Sequence, residues 1–142
     1  MRQISLAGKH REVYDQERAN LSINFDIRLG AIEPSDYSRY ALLPKKVAFA
    51  SRGDDGINEI GFDPKLLEDP NELADGSFRM VCRHELYHLA RGHCDIKQAF
   101  NRQAKAKPLS GIRLIYFAFK AGFMAAHHEM AATIYELGLT RW

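Results

Sequence analysis

Two cysteines in 142 residues are too few for the disulfide lattice that staples small secreted domains. Cys82 and Cys94 therefore read as reduced thiols of a reducing compartment. No window approaches the ~20 consecutive apolar residues that a membrane-spanning helix needs. The richest stretch, Ile112 to Ala126, is interrupted by Arg113 and Lys120. No apolar run follows a basic start at the N-terminus, where Lys9, Arg11, Glu12, Asp15, Glu17 and Arg18 crowd the first twenty residues, so no secretory leader is expected. These absences give a cytoplasmic protein with no membrane partner as the expectation. Internal repeats and low-complexity tracts are missing as well.

Neither sign of charge dominates. The chain has 20 Lys and Arg against 18 Asp and Glu, a formal net charge of +2, which selects no class of partner. One span departs from this balance. Between Asp95 and Glu129 there is no acidic residue, while Lys97, Arg102, Lys105, Lys107, Arg113 and Lys120 are basic. A nucleic-acid backbone or another acidic partner would suit such a span, but a solvated basic face explains it more simply. Tyr116, Phe117, Phe119 and Phe123 lie in the same region. Their spacing fits a buried helix better than a base-stacking platform; Ile115, Phe117 and Phe119 could instead form an oligomer surface.

What is present suits one folded domain covering residues 1–142. Hydrophobic residues make up 46% and charged residues 27%, enough for a core without staples. Lys9 to Asn20 are good helix formers and predict a surface helix. Leu21, Ile23, Phe25, Ile27 and Leu29 alternate with polar residues, predicting a strand with one buried face that ends at Gly30. Pro34 to Leu43 reads as a short helix stopped by Pro44. Val47 to Ala50 and Ile57 to Phe62 read as two strands of a hairpin around the turn Arg52-Gly53-Asp54-Asp55-Gly56.

Asp63-Pro64 looks like an N-cap followed by proline at the first helical position, opening a turn through Leu67. Ser77 can cap a helix running to Arg91, with Gly92 as its stop. A further helix is expected over Ile96 to Lys105. Pro108-Leu109-Ser110-Gly111 breaks the chain, and a long helix follows from Ile112 to Leu137, terminated by Gly138. A leading helix, a small antiparallel sheet and then helices make an α+β domain.

Chemistry enters with Arg83-His84-Glu85-Leu86-Tyr87-His88. Residues four apart lie one above the other on a helix, so His84 and His88 can point two imidazoles at one cation. Zinc accepts imidazole nitrogen and favours four ligands in a tetrahedron. Glu85, one residue past the first imidazole, can reach a water at that cation from the side, as a general base must. Val81, Leu86 and Leu89 supply the apolar neighbours that would seat the helix.

A catalytic zinc keeps three protein ligands, and four residues compete to be the third. His93 requires a sharp break at Gly92. Cys94 is a thiol, less expected beside an activating carboxylate. His128 and Glu129 share one helix. Glu129 lies on a face of small residues, Gly122, Ala125, Ala126, Ala132 and Thr133, which would let another helix approach. The opposite face, with Phe119, Phe123, Met130 and Ile134, would fill the core. A carboxylate at a tight helix contact needs a cation to offset its desolvation, and Glu129 is the preferred third ligand. Arg91 and Cys94 stand where a metzincin would carry glycine and histidine, so that pattern fails.

The motif helix followed by a glutamate helix resembles the gluzincin zinc peptidases. Glu129-Met-Ala-Ala132-Thr-Ile-Tyr135 is similar to the E-x-x-A-N-x-F segment of the ImmA/IrrE-like minigluzincins, with Thr133 in place of Asn and Tyr135 in place of Phe. The sequence also resembles the metallopeptidase-like domain found beside von Willebrand A modules. Asp55-Gly56, Asp63-Pro64 and His84 to His93 carry that second likeness, with Thr133 where that family has Asp. The likeness covers Val47 to Leu137, and no von Willebrand A module is present.

The resemblance implies a zincin-like fold. It also implies a one-zinc hydrolase acting on a protein or peptide, with Glu85 as base and His84, His88 and Glu129 on the metal. Tyr135, His127 and His128 are candidate oxyanion donors, although packing explains Tyr135 more simply. The hairpin over residues 47–62 could offer an edge to an extended peptide. A zincin-fold module that keeps zinc for structure and binds protein or nucleic acid is the alternative.

Overall fold

Thirteen consecutive residues, Gly8–Asn20, form helix α1. Its end explains why the alternating segment after it is not a strand throughout. The Ser22 amide donates to the Ala19 carbonyl and the Ile23 amide to the Arg18 carbonyl, with Ser22 at φ 54°. That is a Schellman stop with serine in the left-handed position. Leu21 is consumed by the cap and buried beneath it, and the ladder begins only at Ile27.

The computed structural model describes residues 1–39, 47–74, 76–106 and 110–138. Before α1 lies strand β1, Arg2–Gln3, which the sequence pattern did not announce. After it come β2 (Ile27–Ala31), α2 (Asp36–Arg39), β3 (Ala48–Arg52) and β4 (Asn58–Phe62). Then follow α3 (Pro64–Glu68), α4 (Pro70–Ala74), α5 (Ser77–Ala90), α6 (His93–Ala106) and α7 (Gly111–Glu136). The chain is a mixed α+β domain. The rest of the helix expected after Pro34, with Pro44, and the break at Pro108 and Leu109 fall outside the described residues. No helix among the described residues is long and apolar enough to cross a membrane.

The sheet runs β1-β2-β4-β3 and is mixed rather than antiparallel. β3 and β4 form the expected hairpin, but β2 pairs with β4 in parallel. The chain leaves β2, makes the β3 hairpin arm on the far side and returns through β4 in the centre. Gly30 lies within β2 instead of ending it, opposite Gly61. Arg28 holds the parallel pair from outside, donating at 2.6 Å to Glu59 on β4 and at 2.6 Å to Asp55 in the hairpin turn.

Ile60 and Phe62 of β4 meet Phe78, Cys82 and Leu86 of α5 in the core, all five essentially inaccessible. α1 closes the same core with Val13 and Tyr14. One buried polar residue ties it down. The fully buried Glu17 carboxylate accepts from Arg79 at 2.5 Å and from Arg83 at 3.0 Å, pinning α1 to the start of α5. Asp63 caps α3 as expected, accepting the Lys65 amide at 2.8 Å. Ser77 does not cap α5: it is the first helical residue, and Gly76 at φ 86° occupies the cap. Gly92, at φ 69°, ends α5 as anticipated, and α6 starts immediately at His93 rather than at Ile96.

The core assignment made for α7 is reversed. Phe119, Phe123 and Met130 are 72%, 67% and 59% exposed, and Tyr116 is 69% exposed. The face packed on α5 carries Ala132 and Tyr135 instead. A helix with apolar side chains on two faces can bury only the one its neighbours reach. The basic residues Lys97, Arg102, Lys105, Arg113 and Lys120 are exposed, as a solvated basic face requires; Lys107 lies outside the described residues. Cys82 and Cys94 are free thiols.

Candidate metal centre

α5 is held on one side by the sheet and on the other by α7, and this fixes the direction of its motif residues. Leu86 and Leu89 face the core, at 0% and 5% exposure. His84 and His88, one turn apart on the same helix, then point toward α7. Tyr87 of α5 stacks on Tyr135 of α7 with ring centroids 4.9 Å apart and planes inclined by 22°, locking the crossing of the two helices. Opposite the two imidazoles the crossing helix presents Glu129.

Three donor groups converge there. His84 Nε2 lies 3.1 Å from Glu129 Oε2, His88 Nε2 lies 3.1 Å from His84 Nε2, and His88 Nε2 lies 3.4 Å from Glu129 Oε1. Taken with one atom from each residue, the group fits within 4.8 Å. A tetrahedral cation bound at about 2.0–2.1 Å sets its ligand atoms about 3.3 Å apart, close to the 3.1 Å between the two imidazole nitrogens and the 3.1–3.4 Å from each of them to one Glu129 oxygen. The His84, His88 and Glu129 group can therefore hold a metal ion.

The hydrogen bonds behind the imidazoles orient them. The far nitrogen of His84 faces a second carboxylate: Nδ1 lies 2.8 Å from Glu136 Oε2. An ionised carboxylate only accepts, so His84 donates its Nδ1–H to Glu136 and presents Nε2 to the centre. A lone pair on Nε2 facing the Glu129 carboxylate demands a positive charge between them, either a proton or a metal cation. The His84 pKa reflects the same pull. Burial pushes it down, but the carboxylates of Glu129, Glu85 and Glu136 outweigh burial and raise it overall. His88 Nδ1 faces His93 Nδ1 at 3.0 Å. The His93 ring in turn stacks on His128 at 3.8 Å with planes 1° apart.

His93 thus sits behind His88, with its Nδ1 on the far nitrogen of that ring, and is not one of the three converging groups. Burial, reinforced by His128 and His88, lowers its pKa to about 4. His128 is lowered by burial and by His88 as well, so both rings stay neutral near pH 7. Cys94 also stands outside the cluster, and burial beside Glu85 pushes its thiol up to about 12. Of the small residues expected around Glu129, Ala132 is buried against α5 and Ala125 borders the cavity, while Gly122, Ala126 and Thr133 are exposed.

A cavity of about 360 Å³ opens beside the cluster. Glu85, only 6% exposed, lines it together with His88, Glu129 and His128. Phe49, Ala50 and Ser51 of β3, an edge strand of the sheet, line it as well. Tyr135 is packed on Tyr87, and His127 is exposed away from the cavity wall. Sequence reasoning missed Glu136. Its signal was its position seven residues, two helical turns, beyond Glu129, which places both carboxylates on the same side of α7.

No family model matches the chain, and searches of curated proteins and of solved structures return no match.

Proposed function

We propose that the chain is a zinc-dependent metallopeptidase of zincin type, with His84, His88 and Glu129 as metal ligands and Glu85 as general base. The observation that carries this reading is the convergence of two imidazole nitrogens and one carboxylate, whose two oxygens each lie 3.1–3.4 Å from one of them, beside a cavity that Glu85 lines. Two imidazoles and one carboxylate suit zinc better than a hard, oxygen-seeking cation. The outward hydrogen bond of His84 to Glu136 supports it further, since a metal-bound imidazole ordinarily donates its other N–H to a carboxylate. A zinc ion in this group would act as a Lewis acid on a carbonyl and lower the pKa of a water to about 7.

The remaining work falls to the chain's own residues. Glu85, nearly buried at the cavity wall, takes a proton from the attacking water and returns it to the leaving amine. His128, neutral and facing the cavity, is better placed to hydrogen-bond the developing oxyanion than Tyr135 or His127. The edge strand β3 lines the same cavity, so an extended peptide can align there as an added strand with its scissile bond over the centre. A cavity of about 360 Å³ admits a few side chains, which suits a narrow choice of protein substrate.

The test uses zinc-loaded wild type and Glu85→Gln on a proteome-derived peptide library, with new termini read by mass spectrometry. New termini made by wild type and absent with the metal-retaining variant are the expected result. Equal cleavage by both, or none by either, overturns the peptidase reading. In the second case a bound zinc would leave a metal-held protein- or nucleic-acid-binding module as the function.

A further inference from the structure

The back of α7 carries a second pattern that has no part in the metal centre. Ile112, Tyr116, Phe119, Phe123, Ala126, Met130, Thr133 and Leu137 follow one another at alternating steps of four and three, and every one of them is exposed. The large members range from 82% exposure at Ile112 to 55% at Leu137. Such a 3.5-residue period is the seam of a left-handed two-helix pairing, and a helix needs it only to meet another helix. The seam points away from the face that buries Ala132 and Tyr135 against α5, so nothing in the described residues covers it.

We propose that this seam joins two copies of the chain, α7 against α7, antiparallel about a two-fold axis between Phe123 and Ala126. Bulk selects this partner and this direction. Antiparallel alignment about that point sets Ile112 on the partner's Leu137 and Tyr116 on the partner's Thr133. It sets Phe119 on the partner's Met130 and Phe123 on the partner's Ala126. Each ring of the N-terminal half meets a smaller or more flexible side chain of the C-terminal half, so the surface is complementary to itself, as a two-fold interface must be. A parallel pair would stack Phe119 on Phe119 and Phe123 on Phe123, leave gaps at Ala126 and Thr133, and gather the basic charge of Arg113 and Lys120 from both copies at one end.

The area is sufficient. An open aromatic side chain offers about 150–250 Å². With Tyr116, Phe119 and Phe123 about two-thirds exposed, and Ile112, Ile115, Met130 and Leu137 beside them, each copy offers on the order of 800 Å², the amount a standard interface buries per partner.

Sedimentation equilibrium of the full chain tests the pairing. Wild type is expected at twice the 16.2 kDa chain mass. Phe123→Glu and, separately, Phe119→Gln are expected as monomers with unchanged circular dichroism, because both positions are exposed in the single chain. Direction is read by oxidising a mixture of Phe123→Cys and Ala126→Cys chains. The mixture is expected to form the mixed disulfide in preference to either homotypic one. Four outcomes overturn the proposal: wild type monomeric at its highest soluble concentration; a dimer that survives both seam substitutions; preferential homotypic cross-linking; and a monomer whose seam is taken up only by anionic lipid vesicles or detergent.

Discussion

Glu136 sits behind His84 and never touches the convergence point, so its substitution isolates the role of orientation from that of ligation. Its Oε2 accepts the His84 Nδ1–H at 2.8 Å, and the side chain is 22% exposed. Glu136→Gln keeps the length and one acceptor oxygen but removes the charge that makes the imidazole a stronger donor to metal. A charge-assisted hydrogen bond exceeds a neutral one by about 1 kcal/mol. Partial exposure trims the electrostatic part, and the result is a loss of about three- to fivefold in metal affinity. Glu136→Ala also frees the ring to rotate, and about 10–100-fold is expected. The assay is competition for zinc against a chromophoric chelator at pH 7, with circular dichroism to verify folding. Affinity within twofold of wild type for both variants would refute the reasoning, because His84 would then need no support from α7.

Other outcomes follow from the same geometry. Glu17→Gln removes the buried carboxylate shared by Arg79 and Arg83, which are 34% and 33% exposed. The two guanidiniums reach water, so the expected destabilisation is about 2–3 kcal/mol, measured by urea denaturation. Ser22→Gly places glycine at the left-handed stop of α1, where serine sits at φ 54°. It should stabilise the fold by about 0.5–1 kcal/mol in the same measurement. Cys82, fully buried with its thiol pKa raised by burial, should resist alkylation in the native protein and react on unfolding.

Local signals were readable where one chain segment decides its own conformation. The spacing of His84 and His88, the Gly92 and Gly138 stops and the Asp63-Pro64 cap each depend on neighbours within one or two turns, and each appears where the sequence placed it. The meeting of Glu129 with the two imidazoles followed from asking which carboxylate a crossing helix could bring close. Other features required knowledge of distant partners. The parallel pairing of β2 with β4 joins residues thirty-one apart, and no local pattern encodes it. The alternation from Leu21 to Leu29 was genuine burial, but the Schellman stop at Ser22 claimed its first half. The rings of Phe119 and Phe123 were assigned to the core because apolar faces usually point inward. A helix with two such faces leaves one outside, and which one depends on α5.

The central claim is that His84, His88 and Glu129 together grip one zinc ion. Elemental analysis of the purified chain, alongside His84→Ala, Glu129→Ala and Glu85→Gln, tests it most directly. The account predicts about one zinc per chain for wild type and for Glu85→Gln, and a large loss for the other two. Wild type without stoichiometric zinc after loading, or full zinc retained when both His84 and Glu129 are replaced, contradicts it.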